Sequence, residues 1–182
     1  MKPQGIDSSM DPITKILLIG LDNGGKSSIS KCLRGIKGLS AFNSPMPTKG
    51  ANVLEFEALN SKYSIWDLGG QKAYRDEYLN EFETYLKQVH KIIYVIDIQD
   101  VNRYKDALEY LKKVINAITS QKEIEFSVFL HKFDPDLKFD SKLNEKVINR
   151  FIKEIKEIFP SDFIYSINKT SIYATFEKSI II

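Results

Sequence analysis

Gly20-Leu21-Asp22-Asn23-Gly24-Gly25-Lys26-Ser27 follows directly on the apolar run Ile16–Ile19. No other stretch of the chain restricts the choice of fold as much. The spacing is G-x-x-x-x-G-K-[ST], a glycine-rich loop between a buried strand and a helix. Its inward-facing backbone N–H groups and the helix N-terminus together attract phosphate. Glycine is needed because the loop turns tightly. Lys26 can reach the β and γ phosphates of a nucleotide, and Ser27 can offer its hydroxyl to magnesium. Asp22, Asn23, Gly24, Gly25 and Ser28 complete the expected phosphate cradle.

The hydrophobic pattern supplies the rest of an α/β sheet. Ile92–Ile96 and Phe126–Leu130 are short runs rich in branched and aromatic residues, as in strands buried on both faces. Tyr104, Leu108, Leu111, Ile115 and Ile118 recur at steps of three and four, as do Leu143, Val147, Phe151 and Ile155, which predicts two helices. Strands alternating with helices make a doubly wound sheet. Ala51–Leu59 and Lys62–Asp67 flank Asn60-Ser61, a two-residue turn that would add an antiparallel edge strand. Residues 1–13 read as a flexible tail and 14–182 as one domain, with no repeat or linker inside it.

Composition mainly excludes. A net charge of +2, from 26 basic and 24 acidic side chains, is too weak a field to hold nucleic acid. Cys32 is the single cysteine, so an internal disulfide and a cysteine zinc site are both ruled out, and a reducing, cytoplasmic setting is expected. No apolar run is long enough to span a membrane, and the start lacks the apolar stretch of a signal peptide. Cys32 reads as a small core residue, Tyr74, Tyr78, Phe82 and Tyr85 as a core stripe, and His90 as a solvated or capping side chain.

Two further segments carry chemistry. In Asp67-Leu68-Gly69-Gly70-Gln71, Asp67 sits at a strand end where it can hold a magnesium-bound water. Gly70 can turn its N–H to the γ phosphate, and Gln71 can orient an attacking water. In His131-Lys132-Phe133-Asp134, the Asp134 oxygens can accept from guanine N1–H and the exocyclic amine, which adenine does not present in that arrangement. The Lys132 stem can cover the ring.

GLDNGGKSS and WDLGGQ resemble the phosphate loop and switch II of the Arf family, and PMPTKGANV resembles its switch I, over about residues 15–98. HKFD, followed by Thr170-Ser171-Ile172, resembles the Rag group, with His131 in place of the asparagine usual in small GTPases. The resemblance implies a P-loop small GTPase fold: a mostly parallel six-stranded sheet, one antiparallel edge strand, and helices on both faces. It implies GTP or GDP and Mg2+ as ligands, with Thr48 placing its hydroxyl on magnesium and its N–H on the γ phosphate in the GTP state. It also implies metal ligands Ser27, Thr48 and Asp67, and catalytic roles for Lys26 and Gln71. Ser171 would donate its backbone N–H to guanine O6, with Ile172 beside it. Exchange factors, GTPase-activating proteins and effectors are the implied partners, and membrane traffic or signalling the implied setting.

The sequence also departs from the Arf pattern. Lys2 and Pro3 stand where Arf proteins carry a myristoylated glycine, residues 1–13 hold few large apolar side chains, and Ser179-Ile180-Ile181-Ile182 offers no cysteine for prenylation. No direct lipid anchor is expected, and membrane contact would come through a partner. Ala51 and Glu81 occupy places where Arf-like switch surfaces tend to have aromatics. Rag proteins carry a large C-terminal dimerisation domain, whereas this sequence stops about ten residues after TSI, so a Rag-type obligate heterodimer is not expected. Two other functions compete. A nucleotide kinase needs an arginine-rich lid, and the arginines are only Arg34, Arg75, Arg103 and Arg150, scattered along the chain. A pseudo-GTPase scaffold would hold nucleotide without turnover, against which Lys26, Ser27, Thr48 and Gln71 stand together.

Overall fold

The computed structural model describes residues 13–36, 47–118, 124–139 and 141–172. Six strands form one sheet: β1 (Ile13–Gly20), β2 (Ala51–Ala58), β3 (Ser61–Leu68), β4 (Val89–Asp97), β5 (Glu125–His131) and β6 (Tyr165–Lys169). Their order across the sheet is β2-β3-β1-β4-β5-β6, and every pairing is parallel except β2 with β3. The helices are α1 (Lys26–Leu33), α2 (Lys72–Asn80), α3 (Phe82–Leu86), α4 (Tyr104–Ile118) and α5 (Glu145–Lys156). The doubly wound α/β fold with one antiparallel edge is thus the one the sequence predicts.

Strand periodicity divides the core in two, because successive side chains point to opposite faces. Leu17 and Ile19 of β1, with Ile92, Tyr94 and Ile96 of β4, face a large cluster built with α2 to α5. Leu18, Ile93 and Val95 face the other way, onto Ile29 of α1 and Ile65 of β3. Helix α4 carries the heaviest load: Tyr104, Ala107, Tyr110, Leu111, Val114, Ile115 and Ile118 are all buried. Leu111 is fully enclosed. Leu111→Ala is therefore expected to destabilise the fold by about 2–5 kcal/mol, the usual cost of a lost transfer term plus a cavity, and urea unfolding would measure it.

Three local expectations shift. Strand β1 begins at Ile13, one residue inside the expected tail, because Ile13 pairs with Lys62 of β3; residues 1–12 lie outside the described residues. The hairpin turn is Leu59-Asn60, not Asn60-Ser61, and both residues are left-handed (φ +49° and +59°). That geometry suits a two-residue turn that follows the twist of the strands. An apolar residue at such a position gives no turn signal, which is why Leu59, 93% exposed, reads as strand. Cys32 is exposed and not a core residue, since α1 turns Ile29 and Ser30 inward instead. By contrast, Tyr78 and Phe82 are buried, with Tyr85 set edge-on to Tyr78 at 5.2 Å. His90 lies exposed inside β4 and not before it, its Nδ1 accepting from the Lys15 N–H at 3.1 Å where the β1–β4 register slips.

Candidate nucleotide site

Parallel strands gather their C-terminal ends on one edge, which is where α/β sheets bind ligands. A cavity of about 500 Å³ opens there, a size that suits a small ligand. Asp22, Asn23, Gly24, Gly25, Lys26, Ser27 and Ser28 line it, facing Thr48, Gly70, Gln71 and Lys132. The residues that the sequence singles out thus come together from four separate loops.

Lys26 opens α1 and is 6% exposed. Its ammonium donates to Leu21 O at 2.7 Å and Gly20 O at 3.2 Å. Burial pushes its pKa down to about 8, against the pull of Asp67 and Asp22. A buried cation that donates to two loop carbonyls is the group that an incoming phosphate would compensate.

The metal donors also converge. Ser27 Oγ donates to Asp67 Oδ2 at 2.5 Å and lies 2.9 Å from Thr48 Oγ1, which itself reaches Asp67 Oδ2 at 3.4 Å. Asp67 is fully buried, and burial raises its pKa. Among the described residues its Oδ1 has no hydrogen-bond partner. A buried carboxylate oxygen without a partner beside two hydroxyls is an oxygen-donor set suited to a hard divalent cation. Among the described residues, no group of three or more His, Cys, Asp or Glu offers a competing metal site.

The two loops expected to switch already lie against the phosphate loop. Gly70 O accepts from Asp22 N–H at 3.1 Å, and a Cβ on Gly70 would stand 2.1 Å from that nitrogen, so only glycine fits. Gly69 N–H donates to Gly50 O at 3.0 Å, which ties switch II to the Thr48 loop. Gln71 precedes α2 with its side chain exposed to the cavity.

At the other end, Lys132 pairs with Asp97 at 2.6 Å, and Asp134 Oδ1 accepts from Ser171 Oγ. The Asp97–His131 register of β4 and β5 brings these groups together. His131 does not line the cavity. It is 3% exposed, its Nδ1 lies 3.0 Å from Thr170 Oγ1, and its ring covers Gly25, where a Cβ would come within 2.5 Å. Burial and the neighbouring Lys132 lower its pKa. The side chain thus acts as a neutral strut between the phosphate loop and the TSI segment. Ile172 turns its side chain to the cluster of Leu18, Ile29 and Ile93.

Sequence reasoning missed Asp97, Gln99, Asp100 and Arg103, which line the same cavity. The available signal was a polar cluster, Asp97, Gln99 and Asp100, at the end of a buried strand. Arg103, read as one of four scattered arginines, donates to Asp22 Oδ1 (2.9 Å), Asp22 O (3.0 Å) and Asp100 Oδ2 (2.5 Å).

The fold and these loops together define a small GTPase of the P-loop class. The model of the ADP-ribosylation factor family matches residues 7–174. The chain belongs to the Arf family. It is 31% identical over 138 residues to the ADP-ribosylation factor-like protein alp41 of Schizosaccharomyces pombe, covering 74% of this chain and 68% of that one. It is 35% identical over 122 residues to ADP-ribosylation factor-like protein 2 of Dictyostelium discoideum, covering 67% and 61%. Among solved structures, the Arl6 BBS3 small GTPase of Trypanosoma brucei, with bound nucleotide analogue GppNp, shares the fold at a TM-score of 0.66 and 20% identity, over 87% of each chain.

Proposed function

We propose that the protein is a GTP-binding molecular switch that hydrolyses GTP slowly and works in the cytoplasm, in membrane traffic or signalling. The convergence of Ser27, Thr48 and Asp67 carries this reading, because a switch threonine joined to the phosphate loop and to a buried carboxylate can sense the γ phosphate. Lys26 and the N–H groups of residues 22–28 would hold the β and γ phosphates. Ser27, Thr48 and Asp67 would hold Mg2+, which when bound neutralises charge on the phosphate oxygens. Gln71 would orient a water for in-line attack on the γ phosphorus. The bond to the β-phosphate oxygen breaks, and the water's protons leave on phosphate and solvent. Asp134 would read guanine and Ser171 N–H its O6. An exchange factor, a GTPase-activating protein and effectors are the partners such a cycle needs.

The test is direct. Protein purified from cells should release guanine nucleotide on denaturation, and chromatography showing only adenine nucleotides would sink the base assignment. Asp134→Asn reverses one acceptor into a donor. It should weaken GDP binding by about 10²-fold, since two mispaired groups cost ~1–3 kcal/mol each, while xanthosine diphosphate binds better than to the parent. Competition titration with both nucleotides reads the inversion.

A further inference from the structure

Gln99 lies two residues beyond the end of the central strand β4, outside every motif in the sequence, and closes a circuit around the base loop. Its backbone N–H donates to Asp97 Oδ1 at 2.9 Å. The other oxygen of Asp97 pairs with Lys132 Nζ at 2.6 Å. From the same turn, the Gln99 side chain donates through Nε2 to Lys132 O at 2.8 Å and to Asp134 Oδ2 at 3.2 Å.

Both neighbours are acceptors, so the amide must present its nitrogen, whose two hydrogens match the two oxygens. Lys132 needs such a partner. Its backbone is left-handed (φ +60°), a conformation that a side chain with a Cβ disfavours and that persists when surrounding contacts hold it. Asp134 gains as well. With Oδ2 held by Gln99 and Oδ1 by Ser171, the plane of its carboxylate is fixed. A carboxylate offers about four acceptor positions, which leaves places for two donors of a base edge. Gln99 also lines both the cavity that holds the phosphate loop and Lys132 and a neighbouring one of about 460 Å³ bordered by Asp134 and Leu137.

We propose that Gln99 is a positioning residue for base recognition, its amide bridging the Lys132 carbonyl and the Asp134 carboxylate and aiming that carboxylate at the base. The inference rests on the reading that Asp134 accepts from guanine. It assigns nucleotide selectivity to a side chain that acts through Asp134.

Inosine diphosphate, which lacks the exocyclic amine, makes the test specific. In the full chain, Gln99→Leu keeps the bulk of the side chain and removes both donors. It should raise the dissociation constant for GDP about tenfold, the effect of one lost hydrogen-bond arrangement, and that for inosine diphosphate by clearly less, compressing the preference for guanine. Gln99→Glu, which sets an acceptor against two acceptors, should compress it further. In an Asp134→Ala background, Gln99→Leu should leave the ratio of the two dissociation constants unchanged, whatever binding is lost through Lys132. Equal weakening of both nucleotides by Gln99→Leu, or an unchanged preference, overturns the inference. Asp134→Ala alone separates the two failures: if it leaves the preference for GDP intact, the base reading itself is wrong. If it abolishes the preference while Gln99→Leu does not touch it, only the role of Gln99 falls.

Discussion

Lys26→Ala is expected to weaken GTP and GDP binding alike, by on the order of 10²–10³-fold, since charge-assisted hydrogen bonds to phosphate contribute ~1.5–3 kcal/mol each. Thr48→Ala is expected to weaken GTP by about tenfold and to leave GDP almost unchanged. The contrast follows from where the two groups sit. Lys26 is buried at the start of α1 with its ammonium on two loop carbonyls, so on the proposed reading it would meet any nucleotide that carries a β phosphate. Thr48 belongs to a separate loop, joined to the phosphate loop through Ser27 Oγ at 2.9 Å and to switch II through the Gly69–Gly50 bond. A group delivered by a separate loop can leave when its ligand shortens, whereas a group within the phosphate loop cannot. Titrations with GDP and a non-hydrolysable GTP analogue would measure both effects. Equal losses of GTP and GDP in the Thr48 variant would remove Thr48 from γ-phosphate sensing.

Hydrolysis by the isolated protein is expected to be slow, on the order of 10⁻⁴ s⁻¹ to 10⁻² s⁻¹, with an arginine from a partner adding about 10³ to 10⁵-fold. The local arginine does not replace it. All three hydrogen-bonding nitrogens of Arg103 are engaged by Asp22 and Asp100, and that pairing neutralises an acidic loop residue instead of facing a transferring phosphate. In the proposed mechanism Lys26 and backbone N–H groups would meet the developing charge, and Gln71, which lines the cavity, would orient water. Gln71→Leu should therefore lower both the intrinsic rate and the response to an activating partner. Single-turnover phosphate release is the measurement. A partner-free rate on the order of 1 s⁻¹, or a Gln71→Leu variant as fast as the parent, would overturn the mechanism. Complete absence of turnover would instead favour the scaffold reading.

Continuous apolar runs exposed β1, β4 and β5 in the sequence because strands buried on both faces need no polar alternation. Helix α4 was visible for the complementary reason, since its buried side chains recur at helical spacing. The hairpin turn was misplaced by one residue because left-handed Leu59 looks like a strand residue. The phosphate and switch residues could be found because their chemistry is encoded in contiguous motifs. Gln99 and Arg103 could not, because each works across the sheet on residues far away in the chain, Arg103 on Asp22 and Gln99 on Asp134. Hydrogen bonds between loops leave no periodic trace. His131 illustrates a further limit: sequence places it in the base motif, and packing turns its ring inward against Gly25.

The polarity of the sheet has a practical consequence. Strand β3 runs parallel to β1, so its Asp67 end belongs to the nucleotide edge and its Ser61 end, with the Leu59-Asn60 turn, to the opposite edge. Asp67 lies seven residues beyond Asn60 along extended chain, roughly 23 Å at the usual strand rise. A fluorophore or surface tether attached at that turn would stand well clear of the ligand while remaining bonded to the hairpin that leads into both switch loops.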